Sequence, residues 1–389
     1  MLRDIIACRE KDLPVFIMSK LMKIASEDKN IISLGPGEPD FTSPPNILAA
    51  VKKAMVNKQT HYSSPGGMTD LREAVAKKLK KENSIDVTPD EVVVTNGSTE
   101  AILLTLMCTL DPGEAVIVPN PGFLAYIPTV EILSGIPLSL HLKENDGFQI
   151  TKEALEETYL PNKTRSIIIN TPSNPLGVVF KKKTLEEIAD FATEKNLLII
   201  SDEAYEKQVY DGEKHISIGS LNGMGHRVIT LQSFSKTYAM AGFRVGYAAG
   251  EKKIIDALKN LHLFTSLCAP TVSQIAAIEA LRGPQNHVYK MVREYDRRRK
   301  FIVKRLNDID GFECVKPNGA FYAFPNIKAF KMKSNNFAEF LLEKAKVACV
   351  PGSEFGKYGE GYVRFSYATA YEKIETAMER IEKITKRVK

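Results

Sequence analysis

The chain has 389 residues, 44% hydrophobic and 26% charged, with a net charge of +6. That apolar fraction excludes a mainly disordered chain, and 24 Gly, 20 Pro and 5 Cys exclude a collagen-like or disulfide-scaffold protein. A charge of +6 over this length is ordinary solubility charge and predicts no nucleic-acid partner.

Residues 1–45 are polar, punctuated by proline and weakly periodic, which predicts an arm and a connection rather than a domain. Met1 to Asp12 is charged and lacks an apolar signal core, and no run approaches the roughly 20 apolar residues of a membrane span. Cys8, Cys108, Cys268, Cys314 and Cys349 are odd in number and form no C-x-x-C pair. Together these features predict a cytoplasmic chain with no membrane contact and no metal cluster.

From Glu91 to Gly250, short apolar runs alternate with helix-like segments. The runs are Val92–Thr95, Ala115–Pro119, Ser166–Asn170, Leu197–Asp202, Arg227–Gln232 and Phe243–Ala249. They are rich in Val and Ile and apolar on both faces, as strands of a mostly parallel, helix-covered sheet are. Between them, Leu185, Ile188, Ala189 and Phe191 follow helical spacing, and Thr184 with Glu187 reads as a capping box. The fold class is therefore α/β.

After Gly250 the texture changes. Glu251–Leu263 and Pro270–Asn307 read as long helices, the second interrupted near Gly283-Pro284. Short strands are expected in Gly319–Pro325, Val347–Pro351 and Tyr362–Tyr367, with helices over Asn336–Lys344 and Tyr371–Lys386. This predicts a smaller α+β domain. The basic runs Lys181–Lys183 and Arg297–Lys300 are expected to be solvated helix faces.

Four expected strands end in polar residues, where a doubly wound sheet opens its ligand crevice. The strand over 92–94 runs into Asn96-Gly97-Ser98-Thr99 and that over 166–169 into Asn170-Thr-Pro-Ser-Asn174-Pro. The strand over 197–201 runs into Asp202, Glu203 and Tyr205, and that over 227–231 into Ser233-Phe-Ser-Lys236, with Arg244 beyond. Singly, each has a plain reading: Asp202 as a helix N-cap, Asn174-Pro175 as a turn, Lys236 as a surface lysine, Phe123 as core. Jointly, Ser98 and Thr99 at a helix start, with Arg244 and Ser233, form an anion cup suited to a phosphate. Lys236 beside it can form a Schiff base, and Asp202 can hold a protonated ring nitrogen. That combination fits pyridoxal phosphate. A G-x-G-x-x-G after a strand and a Walker A loop are both missing.

The run Ser233-Phe-Ser-Lys-Thr-Tyr-Ala-Met-Ala-Gly-Phe-Arg244-Val-Gly resembles the lysine signature of class I, fold-type I, pyridoxal-phosphate-dependent aminotransferases. Further matching pieces are Gly35-Pro-Gly37-Glu-Pro-Asp-Phe41, His61-Tyr62-Ser63, Asn96-Gly-Ser-Thr-Glu-Ala and Pro121-Gly-Phe123. They continue with Asn170-Thr-Pro-Ser-Asn174-Pro-Leu-Gly, Ser201-Asp202-Glu-Ala-Tyr205 and Val363-Arg364-Phe-Ser-Tyr, all in order over about residues 13–385. The resemblance implies a seven-stranded, mostly parallel sheet in a large cofactor-binding domain, residues 46–282. It also implies a small α+β domain, residues 283–389, joined by the arm, residues 1–45.

The same resemblance implies roles. Lys236 is similar to the lysine that binds the cofactor and shuttles the substrate proton. Asp202 is similar to the acid that keeps the pyridine nitrogen protonated. Tyr205 and Asn174 resemble the pair that hydrogen-bonds the cofactor's phenolic oxygen, and Phe123 the ring stacked on the pyridine face. Ser98, Thr99, Ser233 and Arg244 match phosphate-binding positions, and Tyr62 a tyrosine that reaches the phosphate of a neighbouring subunit, which implies a homodimer with shared sites. Arg364 resembles the arginine that clamps the substrate α-carboxylate in two bonds, helped by Gly37 and Asn174. The expected partners are an amino acid and a 2-oxo acid, converted by a ping-pong mechanism.

Two positions depart from the family pattern: Phe123 stands where the aspartate-specific branch typically has Trp, in a chain with no Trp, and Leu176 replaces the usual Thr of Asn-Pro-Thr-Gly, a change expected to matter little to the chemistry. Lys357 to Lys373 and Glu294-Tyr-Asp-Arg-Arg-Arg-Lys300 resemble archaeal aromatic aminotransferases, which favours aromatic donors with 2-oxoglutarate as acceptor. Aspartate aminotransferase is the alternative, and a C–S lyase a more distant one. Leu13-Pro-Val-Phe16-Ile17 reads equally as an apolar lid over the site and as dimer packing.

Overall fold

The structure is a computed structural model and describes residues 5–11, 13, 17–221 and 223–386. The expected lid, Leu13 to Ile17, falls largely outside the described residues. The rest of the N-terminal segment carries more regular structure than its weak periodicity announces: a helix over Ile17–Glu27 and a short strand β1 over Ile32–Ser33.

The central sheet uses β2 (Val92–Thr95), β3 (Ala115–Asn120), β4 (Ile136–His141), β5 (Thr164–Asn170), β6 (Leu198–Asp202), β7 (Val228–Ser233) and β8 (Gly246–Ala249). Its order is β2-β8-β7-β6-β5-β3-β4, and only β8 runs against its neighbours. Both faces are buried. Ile167 and Ile169 of β5 point to a core with Leu185, Ile188 and Phe191 of the helix Lys182–Glu194. Ile168 points the other way, to Ile102 and Leu104 of the helix Gly97–Thr109 and to Ile255 and Leu258 of the helix Lys252–Thr265. This two-sided burial is why the strands read as continuous apolar runs rather than alternating ones.

Strand β4 is absent from the six sequence-expected runs. It sits at the sheet edge, is only half-buried for most of its length, and contains Pro137, which an edge tolerates. The strand expected from Phe243 starts at Gly246, because Ala241–Phe243 forms a 3-10 turn and Arg244 takes a left-handed φ of 50°. The expected capping box is also corrected. The helix begins at Lys182, before Thr184, and Gln149 supplies the cap: its Oε1 accepts from Lys181 N–H and the Thr184 hydroxyl, both at 3.0 Å. Glu187 instead pairs with Lys183 at 3.6 Å.

Beyond the helices Thr271–Arg282 and Asn286–Asp308 lie the remaining strands: β9 (Tyr322–Ala323), β10 (Val347–Ala348), β11 (Val350–Pro351) and β12 (Val363–Ser366). They form an antiparallel sheet β11-β12-β9 and a parallel pair β1-β10, which ties the N-terminal segment to the C-terminal part of the chain. A separate core fills this region, with Phe312, Phe321, Phe337, Phe365 and Ile374 among its members. The run Arg297–Lys300 is only partly a solvated face: Arg298 and Arg299 are buried and held by carboxylates, whereas Lys181–Lys183 is exposed as expected. No helix among the described residues is long and apolar enough to cross a membrane.

Candidate active site

The carboxyl ends of β2, β5, β6 and β7 lie along one edge of the sheet, since these four strands are parallel to one another and β8 alone reverses. A cavity of about 510 Å³ opens there and reaches across to β9 and β12. Its walls bring together Gly37, Ser98, Thr99, Phe123, Asn174, Asp202, Tyr205, Ser233, Lys236, Arg244 and Arg364. Of the sequence-predicted site residues only Tyr62 is elsewhere. It is 82% exposed, in a separate surface depression with His61, Ser63 and Thr271.

Lys236 stands on the single turn Phe234–Thr237, which Ser233 caps by accepting from Ser235 N–H at 3.1 Å. Its ammonium donates to Gly37 O and sits 5.9 Å from the centre of the Tyr205 ring. Burial pulls the Lys236 pKa down to about 8; the Glu38 carboxylate opposes this, and Arg364 and Arg244 add to it. At pH 7 roughly a tenth of the amine is therefore neutral and nucleophilic, far more than for an ordinary lysine.

Asp202 ends β6. It caps no α-helix; its Oδ1 accepts from Ala204 N–H at 3.2 Å, closing a tight turn, and Oδ2 accepts from the Tyr126 hydroxyl at 2.8 Å. Burial raises its carboxyl above the ordinary range against those two hydrogen bonds, the state of an acid that gains from a cationic partner. Phe123 lies edge-on to Tyr126, 5.4 Å between ring centres, on the cavity wall.

The anion cup forms where the 13-residue helix Gly97–Thr109 begins, with Ser98 and Thr99 in its first turn. Arg244 Nη2 donates to Asn96 O at 3.4 Å, and a Cβ at Gly97 would lie 2.6 Å from that nitrogen. Gly97 has a φ of +79°, so only glycine fits both the backbone and the approach of the guanidinium.

Arg364, on the middle strand β12, is the most distinctive group. It is 3% exposed; Nη1 donates to Asn174 Oδ1 at 2.9 Å and Nη2 donates to Gly35 O. Its Nε is buried with no hydrogen-bond partner, and no carboxylate among the described residues lies within ion-pair distance. Asn174 is fixed in turn by Asn170, whose Oδ1 accepts Asn174 N–H at 2.8 Å and whose Nδ2 donates to Asp202 O at 2.9 Å. A buried, uncompensated guanidinium is a receptor for an anion, and its planar fork suits a carboxylate.

Sequence reasoning missed Tyr126, Asn170 and Tyr322 as site residues. Tyr126 carried a signal, since it follows Phe123 by three residues at the start of the helix Tyr126–Ile132. Tyr322 carried none: it reaches Tyr205 across 117 positions of chain, hydroxyl to hydroxyl at 2.7 Å. Glu203, Glu206 and His215 also cluster beneath the site, within 4.8 Å of one another. The oxygens of Glu203 and Glu206 are taken by Lys78, Asn83, Ser201, Ser217 and Gln232, and His215 Nε2 meets Glu203 at 2.8 Å; with its carboxylates engaged the trio reads as a polar core, although His215 Nδ1 has no hydrogen-bond partner among the described residues.

Residues 29–381 match the family model for aminotransferase class I and II. An aspartate aminotransferase of Pyrococcus abyssi is 48% identical over 373 residues, covering 95% of each chain. Aromatic-amino-acid aminotransferase 2 of Thermococcus litoralis is 47% identical over 373 residues, again 95% of each chain. The solved aromatic aminotransferase of Pyrococcus horikoshii superposes with a TM-score of 0.90 at 46% identity, covering 95% of this chain and 99% of that one. The sheet-edge cavity, its lysine and its uncompensated arginine thus belong to an aminotransferase, and the chain is a member of the class I and II family.

Proposed function

We propose that the chain transfers the amino group of an L-amino acid, aromatic donors favoured, to 2-oxoglutarate, with pyridoxal phosphate bound in the cavity and anchored on Lys236. The observation that carries this is Arg364, a buried cation with no ion-pair partner among the described residues, facing the same cavity as Lys236, Asp202 and the anion cup. When bound, pyridoxal phosphate supplies the electron sink for the pair released at the substrate Cα. The residues present fit that group. Ser98, Thr99, Ser233 and Arg244 hold its phosphate, Asp202 its ring nitrogen, Asn174 and Tyr205 its phenolic oxygen, and Phe123 covers its face. Arg364 and Gly37 fix the substrate carboxylate, so that the Cα proton lies within reach of the Lys236 amine, which removes it and returns it on the other side of the exchange. Tyr62 serves the site of a second copy, in a homodimer whose protomers divide into an arm, residues 1–45, a cofactor-binding body, residues 46–282, and a small domain, residues 283–389.

The preference for aromatic donors rests on the cations of the cavity. The described lining residues hold Lys236, Arg244 and Arg364, each already assigned, and leave none for a second carboxylate. The distal carboxylate of the acceptor would then meet hydroxyls such as Ser26 and Ser33. The name of the Pyrococcus abyssi relative supports the second reading, aspartate as donor.

The test is a visible-absorbance titration of the protein loaded with pyridoxal phosphate. Phenylalanine and tyrosine are expected to bleach the lysine-bound chromophore and 2-oxoglutarate to restore it. Bleaching by aspartate alone would establish the second reading, and no chromophore at all would overturn both. Lys236→Ala is expected to abolish turnover while leaving the protein folded.

A further inference from the structure

Tyr322 has a position that no role so far accounts for. It lies on β9, is fully buried at its ring and lines the cavity. Its hydroxyl makes one hydrogen bond among the described residues, to the Tyr205 hydroxyl at 2.7 Å. Its ring lies 4.5 Å beneath the Arg364 guanidinium. A Cβ at Gly37 would fall 2.6 Å from the Tyr322 oxygen, so a larger residue there would displace the hydroxyl.

A phenol has one hydrogen to give. If Tyr205 gives its hydrogen to the phenolic oxygen of the cofactor, it cannot also give it to Tyr322. The short contact between the two hydroxyls must then be carried by the hydrogen of Tyr322. We propose that Tyr322 is a positioning residue: by donating to the Tyr205 oxygen it commits the Tyr205 proton to the cavity and strengthens that proton as a donor. This rests on the functional reading above, which places Tyr205 at the phenolic oxygen. Chained hydrogen bonds reinforce one another, by roughly 10–30% per bond, and the nearby Arg364 cation makes Tyr322 the better donor of the two. A phenolic oxygen that receives a stronger hydrogen bond is favoured in its deprotonated form.

The experiment is a pH titration of the visible chromophore of the protein loaded with pyridoxal phosphate, in wild type, Tyr322→Phe, Tyr205→Phe and the double variant. Tyr322→Phe keeps the ring under Arg364 and removes only the hydroxyl. Its midpoint is expected to rise by about 0.3–0.5 pH unit, a two- to threefold change in the acid constant. Tyr205→Phe is expected to raise it further. The double variant is expected to match Tyr205→Phe alone, because Tyr322 acts only through Tyr205. The double variant also leaves no buried hydroxyl stranded, so it remains informative if Tyr322→Phe folds poorly. An unmoved midpoint in Tyr322→Phe, or additive shifts in the double variant, would overturn the inference and leave the aminotransferase reading standing. No shift in Tyr205→Phe would overturn it as well, by removing Tyr205 from the phenolic oxygen. Failure of the wild-type protein to form a chromophore would instead defeat the functional reading itself.

Discussion

Arg299 and Arg364 are both buried arginines, and they are built in opposite ways. Arg299 is fully buried and saturated: it grips Asp211 with two nitrogens at 2.7 and 2.8 Å, reaches Asp296, and donates to Pro317 O. Arg364 is as deeply buried but meets a carbonyl and an amide oxygen, with Nε left over and no carboxylate within reach among the described residues. Burying a charge without a counter-charge is unfavourable, so a fold retains such a group only where a ligand completes it. Lys78 repeats the first pattern, paired with Glu206 inside a network that includes Asn83 and Gln232. Lys236 repeats the second: among the described residues its one hydrogen-bond partner is Gly37 O. Saturated charges hold the molecule together; unsaturated ones mark where it works.

The sharpest way to break this comparison is to remove each arginine in turn. Arg364→Leu is expected to lower kcat/KM by about two to three orders of magnitude, equally for every amino-acid donor, since loss of a buried charge partner is worth about 2–5 kcal/mol. Its thermal stability should barely move, within about 1 kcal/mol, because relief of the uncompensated charge offsets the lost bonds to Asn174 and Gly35. Arg299→Leu should do the reverse. It strands Asp211 and Asp296, although both are partly solvated and keep Lys316 and Lys300 as partners, so a loss of about 2–3 kcal/mol is expected with near-normal turnover. A donor-selective loss in Arg364→Leu would place that arginine at the substrate side chain instead.

Lys78→Met extends the test to the network under the site. Glu206, whose carboxyl is held down to about 2 by Lys78, Lys207 and His215 although burial opposes this, would lose its main counter-charge. Chemical denaturation should show a loss of about 3–5 kcal/mol. Replacing Glu206 by Gln in the same chain should restore much of it, and failure to do so would mean that the pair is not the unit of stability.

How much of this was legible in the sequence follows the same division. The strands β2, β3, β5, β6, β7 and β8 stood out because both of their faces are buried, and the polar residues that end four of them sit where a parallel sheet opens. Strand β4 did not, since an edge strand with a proline and half-exposed side chains has no such texture. The partners of buried charges were also illegible. Arg299 reads as one of four consecutive basic residues, and nothing local says that Asp211, 88 positions away, will reach it. Tyr322 was hidden for the same reason, and Gln149 displaced the capping box from outside the helix it caps. Local pattern reports burial and chain direction; it does not report which distant group completes a charge.

The smallest effect concerns Lys236 and is one of pH. Its folded pKa of about 8 lies below the ordinary lysine value of about 10.4. In protein stripped of pyridoxal phosphate, the unfolded chain therefore binds the proton more tightly than the folded one. Stability must rise as pH climbs from about 8 to about 10.4, and this contribution is flat outside that window. Once pyridoxal phosphate is attached, the free amine is replaced by the lysine-bound chromophore, and the midpoint of that chromophore, not a pKa of about 8, should set where the slope begins. The rate at which added pyridoxal phosphate forms the chromophore should increase about tenfold per unit below pH 8 and level off above it, following the neutral amine. Stopped-flow absorbance across pH 6–10 measures the second effect, and paired melts of stripped and loaded protein measure the first. A rate that keeps rising to pH 10 would show that Lys236 titrates as an ordinary lysine, and would move it from the unsaturated group of charges to the solvated surface.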